Sequence, residues 1–189
     1  MTDHSDAEDA RWQTAVSTLR LPHVRPELVI EEVPAPNRLA QFAIALAVDA
    51  VSSLDEDLAS GRFVVLHEPD GQPTWNGDFR VVTFVKAPLE SDVLIGDMFD
   101  EVAWTWLVES LQDHGADMHN LSGTVTRTVS RSFADLRDRE IQTDLEIRAS
   151  WTPDSEDLST HIKAWLGLIE ICADLEPLPA GVSAIAKSR

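Results

Sequence analysis

Two apolar runs held apart by a turn-rich decapeptide constrain this chain more than any other feature. "GRFVVLHE" (61–68) and "FRVVTFVKA" (79–87) are dense in β-branched and aromatic residues, the composition of strands. Between them "PDGQPTWNGD" carries Asp70-Gly71 and Asn76-Gly77, both strong turn signals. The expectation is an antiparallel hairpin with a long tip. Alternation puts Val64, Leu66, Val82 and Phe84 on one face, and Phe63, Val65, Val81 and Val85 on the other. Hydrocarbon on both faces demands cover on both, from two helix layers or from a partner chain.

The flanking segments supply candidate cover. "EDARWQTAVSTLR" (8–20) sets Trp12, Ala15, Val16 and Leu19 on one helical stripe, and Pro22 ends it. "PELVIEEV" (26–33) reads as a short strand, with Leu28 and Ile30 on one face and Val29 and Val33 on the other. "PAPNRLA" turns the chain. The next stretch, 37–53, is apolar almost all round, which predicts a buried central helix. A third helix is predicted over 97–114, with Asp97 as N-cap, acids Asp100 and Glu101 in its first turn, and Gly115 as its stop. A second hairpin joins "SGTVTRTVSRSF" to "EIQTDLEIRASW" through "ADLRDR". A last helix opens after Pro153 and buries Leu158, Ile162, Trp165, Ile169 and Cys172.

The predicted order is therefore α-β-α-ββ-α-ββ-α. That is an α+β fold, with a mainly antiparallel sheet of about five strands and four helices. One domain spans 8–178, and flexible termini are expected at 1–7 and 179–189. The same order is similar to the fold of type III secretion chaperones, which are also small, acidic and usually dimeric.

"GTVTRTVSRSF" (123–133) poses a register problem. Even positions carry Thr124, Thr126, Thr128, Ser130 and Ser132; odd positions carry Val125, Arg127, Val129, Arg131 and Phe133. The partner strand is unambiguous: Ile141, Leu145, Ile147, Ala149 and Trp151 face the core, and Gln142, Asp144, Glu146 and Arg148 face out. If the odd set lies inward, Arg127 and Arg131 lie under the sheet and line an anion-binding cleft. If the even set lies inward, both arginines face out and Arg127 pairs with Glu146 or Asp144. Burying unpaired arginines costs several kcal/mol each, whereas hydrogen-bonded threonines cost far less. The second register is expected unless buried acids or a bound anion meet the arginines.

Charge and motif content narrow the function classes. Asp and Glu number 33 against 15 Lys and Arg, a formal net charge of −18. Such a field repels phosphate backbones, so direct nucleic-acid binding is not expected; it favours a basic protein partner or a cation, and it keeps the chain in solution. The longest apolar run, 39–51, is too short for a membrane span, and a lone Cys172 on a helix's apolar stripe is an inert core thiol. The start "MTDHSDAEDA" is acidic, unlike a secretory signal, so a cytoplasmic protein is expected.

The sequence has no GxGxxG, Walker loop, CxxC, HExxH or Gly-x-Ser-x-Gly. His67, Glu68 and Asp70 cluster at one strand end, and Asp113, His114, Asp117 and His119 at a helix end. Both clusters read as solvated turns before they read as metal sites, and no cofactor is expected. Trp75 at the hairpin tip is either packed over its own strands or presented as a partner anchor. Contacts to a ligand or partner are expected at Arg127, Arg131, His67 and Trp75. The leading expectation is a non-enzymatic, homodimeric, protein-binding domain. The rival is an enzyme, or a binder of an anion or small molecule, with a polar cleft near Arg127, Arg131 and His67.

"RPELVIEEVPAPNRLAQFA", "GRFVVLHEPDGQPTWNGDFRVVTFVKAPLE", "EVAWTWLVESL", "SGTVTR" and "EIRASWTP" together resemble a family of uncharacterised actinobacterial proteins, domain of unknown function 3000. The resemblance covers about 10–182 and implies a bacterial cytosolic protein with no assigned activity. It also implies a gene neighbourhood shared with a ribonuclease-D-like exonuclease, hence a third reading: an accessory to RNA processing acting through a nuclease partner.

Overall fold

The computed structural model describes residues 3–20, 24–54, 56–89 and 98–176. Within them the order is α1 (Asp3–Ser17), β1 (Leu28–Val33), β2 (Phe42–Val51), β3 (Asp57–Gln72), β4 (Gly77–Leu89), α2 (Phe99–Asp113), β5 (Met118–Ser130), β6 (Gln142–Pro153) and α3 (Ser159–Cys172), with a short 3-10 turn at Ala134–Leu136. The six strands form one antiparallel sheet in the order β1-β2-β3-β4-β6-β5. The fold is α+β as expected, with six strands and three helices among the described residues rather than five and four.

The difference lies at 37–53, where a strand, β2, replaces the predicted helix. Its apolar residues alternate in size. Phe42, Ile44, Leu46 and Val48 point to the helix side, while Ala43, Ala45 and Ala47 point away, with Asp49. Composition alone hid this period of two. The strand also supplies the ladder partners that β1 and β3 require on either side.

All three helices lie against one face of the sheet. That face carries Gly61, Phe63, Val65 and His67 of β3, Phe79, Val81, Thr83 and Val85 of β4, and Leu145, Ile147, Ala149 and Trp151 of β6. Trp12 fastens α1 to one end of it, stacking with Phe42, His67 and Phe79 at ring-centroid separations of 5.7, 6.1 and 6.4 Å. The helix reaches back to Asp3, into the stretch expected to be frayed.

Trp165 of α3 lies over Gly61 of β3. A Cβ on that glycine would come 2.6 Å from Ile169 Cδ1 and 3.0 Å from Trp165 Cζ2. Gly123 of β5 has the same role beneath Trp104 of α2, where a side chain would also strike the Arg148 carbonyl. These two glycines let the helices approach the sheet closely. Gly115 ends α2 at φ +64, as a left-handed stop should. The expected N-cap Asp97 lies outside the described residues, as do the tail residues 177–189. At α3, Asp157 Oδ1 accepts the Ser159 amide proton, so that helix begins a few residues later than Pro153 suggests. No helix among the described residues is long and apolar enough to cross a membrane.

Candidate interaction face

Among the described residues, the opposite face of the sheet carries no helix. Register places its side chains in rows running across the strands. One row runs Glu31, Ala47, Arg62, Phe84, Arg148, Thr124. The next runs Val33, Ala45, Val64, Val82, Ser150, Ser122. Part of the hydrocarbon is covered by the chain itself: Ala45, Val64 and Leu66 form a small second core with Val33, Ala35, Ala40, Ala43 and Trp75. The 34–41 segment thus acts as a strap at one end of the face, and the β3–β4 turn closes it with Trp75. Each face of the hairpin is apolar, as alternation predicts, but the second needs less outside cover than expected.

What remains open centres on Val82, which is 37% exposed. Around it lies a shallow trough of about 410 Å³, with Val64, Val82 and Phe84 in its floor and Ser122, Thr124 and Ser150 along β5 and β6. Arg62 and Arg148 flank Phe84 across neighbouring strands. The Arg148 guanidinium sits 5.4 Å from the Phe84 ring centroid and donates to Glu146 at 3.0 Å. Among the described residues no carboxylate lies within 4.0 Å of Arg62 or of Arg80.

Arg80 is buried at the strapped end of this face, where it donates to the Asn120 carbonyl and to the Thr152 and Ser150 hydroxyls at 3.0, 3.1 and 2.7 Å. Burial without a carboxylate lowers its pKa from the usual arginine value. The adjacent Trp75 turn is pinned at its carbonyl by Thr152 and Asn120. It is pinned again at Asn76, whose carbonyl accepts from His119 Nε2 at 3.0 Å, while His119 Nδ1 meets Asp154. The Asn76 carbonyl first, and the Asp154 carboxylate second, raise the His119 pKa.

The hydroxyl strand adopts the register that energetics had disfavoured. Val125 pairs with Ile147 and Arg127 with Leu145, so the odd set faces the helices and Thr124, Thr126 and Thr128 face the open side. The expected penalty is reduced, because α2 supplies an acid at ion-pair distance, although the approach is not aligned as a hydrogen bond. Arg127 Nε lies 2.7 Å from Asp100 Oδ1, its guanidinium is 5.5 Å from the Phe99 ring centroid, and its side chain keeps 25% exposure at the sheet edge.

Arg131 lies beyond the end of β5 and is exposed. His67 is fully buried at the far end of the sheet, its ring 4.1 Å from that of Phe79, with Nδ1 donating to the Asp78 carbonyl. The β4 partners of the Arg127 and His67 rows are Ala87 and Phe79, eight residues apart, or about 27 Å of strand. The structure therefore does not gather Arg127, Arg131 and His67 into one cleft. Arg127→Met is expected to cost about 1 kcal/mol or less, the worth of one edge ion pair with its ring contact, in urea melts.

Among the described residues, no three His, Cys, Asp or Glu side chains converge as metal ligands. Burial pushes the Cys172 thiol up to about 12, as an inert core residue requires.

A model of a protein family of unknown function, DUF3000, matches residues 8–183. The chain belongs to that family. No curated protein and no solved structure matches it significantly. In this DUF3000 chain, sequence reasoning missed Arg62, Arg80, Phe84 and Arg148 as candidate contacts. A signal was present: Arg62 shares parity with Val64 and Leu66, and Arg80 with Val82 and Phe84, so cations recur on apolar faces. Their convergence depends on β6 lying beside β4, which no local pattern announces.

Proposed function

We propose that this DUF3000 protein is a non-enzymatic protein-interaction domain that binds its partner on the uncovered sheet face. One observation carries the reading: all three helices lie on one side, leaving the trough around Val82 and Phe84 open on the other. A helix layer backing a sheet whose second face is free also suits the chaperone-like reading, in which a rigid sheet presents a surface to a client segment. The rival cleft reading loses its anchor, because Arg127 is engaged by Asp100.

A second copy is the other occupant with support. Six strands about 4.8 Å apart and some eight residues long span roughly 750 Å² with the strapped end included, so a second copy would use the strap as well as the trough to reach a standard interface. A cytoplasmic setting and an accessory role beside a nuclease belong to the same proposal, since either would act through this face.

The decisive substitution is Val82→Glu, at an exposed position whose loss leaves the helix-side core intact. It is expected to leave the melting temperature within a few degrees of wild type. It should abolish capture of partners from lysate of the native host, or halve the mass in light scattering if the partner is a second copy. If captured proteins and mass are both unchanged, the open face is not the binding surface.

A further inference from the structure

We infer that the occupant of the open face is an acidic segment of a partner protein, carrying apolar side chains between carboxylates. The inference rests on the interaction-face reading above and names the chemistry of the partner. In a chain with 33 acids and 15 bases, most arginines can find a carboxylate, yet among the described residues none lies within 4.0 Å of Arg62. Arg148, 66% exposed at its side chain, shares one nitrogen with Glu146 and presents the rest of its donors outward. Its guanidinium lies 5.4 Å from the Phe84 ring centroid, at the trough rim. The hydroxyls of Ser122, Thr124 and Ser150 add donors along the same wall.

The whole-chain field favours a basic partner, but that field is screened over about 8 Å at physiological salt. The charged side chains lining the trough itself are Arg62 and Arg148; Glu146 holds one nitrogen of Arg148, and Glu31 and Asp49 border Arg62 farther along the face, outside the trough. Between the two guanidiniums a carboxylate is therefore favoured over an ammonium group.

Shape selects a peptide. The trough is shallow and open across the strands, whereas small-ligand sites bury most of the ligand's surface. Arg62 and Arg148 lie two strand spacings apart, about 9.6 Å. A polyproline-type segment advances about 9.3 Å in three residues and returns to the same side. Carboxylates at i and i+3 would thus reach both arginines, leaving the side chains between them to rest on Val82 and Phe84. Guanidinium–carboxylate pairing supplies the specificity, and the apolar floor supplies the area.

The test uses the full chain and three synthetic twelve-residue peptides: Glu-Leu-Pro repeats, Lys-Leu-Pro repeats and Glu-Ser-Pro repeats. Binding is followed by titration calorimetry at low and high salt, with amide shifts mapping the site. The Glu-Leu-Pro peptide is expected to bind at least tenfold more tightly than either twin, to weaken with salt, and to shift amides of β3, β4 and β6. Arg62→Gln with Arg148→Gln should cost at least tenfold, while Arg62→Lys with Arg148→Lys should restore part of it. Equal binding of the Lys-Leu-Pro peptide, unchanged affinity in the Gln variant, or no binding by any peptide overturns the inference. A dimer that Val82→Glu splits also overturns it, since a second copy then holds the face, yet leaves the interaction-face reading standing. Val82→Glu without effect on captured proteins or mass removes the reading beneath both.

Discussion

Trp165→Ala is expected to remove about 3–5 kcal/mol of stability, the range for deleting a large buried aromatic side chain. Trp165 is fully buried, sits 5.3 Å from Phe63 by ring centroids, and covers Gly61 where α3 meets β3. The sheet cannot refill that space, because Gly61 offers no side chain and the neighbouring strands are fixed by their ladders. Trp165→Phe should cost far less. The indole Nε1–H has no acceptor in its buried site, so the smaller ring also removes an unsatisfied donor. Urea melts of the three proteins at pH 7 measure both differences. A loss under 1 kcal/mol for the alanine variant would mean that α3 is not held where the structure has it.

Acidification from pH 7 to pH 4.5 is expected to cost about 2–3 kcal/mol through His161 alone. The ring is buried beneath α3, and its Nδ1 accepts the Trp151 indole proton at 3.0 Å, which requires a neutral imidazole. Burial pushes its pKa down to about 4 from 6.5, against weaker upward pulls from Asp154, Asp157 and Asp117. As pH falls, the unfolded chain takes up this proton first, near 6.5, and the native state resists until about 4. The contribution is therefore intact above pH 6.5 and is lost between there and pH 4. His161→Gln keeps an acceptor for Trp151 but carries no titrating proton, so its stability should fall less steeply over this window. Parallel slopes for variant and wild type would refute the assignment. His119 runs the opposite way: its raised pKa favours the native state at low pH, and that benefit fades as pH rises.

Much of the sheet was legible residue by residue. Alternation gives which residues share a face in β1, β3, β4 and β6, although in β3 and β4 both faces are apolar, and Ile141, assigned to the core row, is exposed just before β6 begins. β2 was not legible by composition, since alanine satisfies a helix as readily as a close-packed strand face; only the alternation of large and small side chains separates the two. The β5 register was misjudged for an energetic reason. The cost of burying Arg127 was reckoned without a partner, and the partner, Asp100, belongs to a helix whose docking is a tertiary fact. The Arg62–Phe84–Arg148 row was out of reach for a similar reason. It exists only once β6 inserts between β4 and β5.

The position of Trp75 has an optical consequence. The chain has six tryptophans and no tyrosine, so its near-ultraviolet emission is dominated by indoles. Trp12, Trp104, Trp106, Trp151 and Trp165 belong to the helix-side core, while Trp75 stands with the strap on the other side. A difference spectrum between wild type and a Trp75→Phe variant would isolate a single native fluorophore at the rim of the trough. The protein carries its own label for whatever settles there.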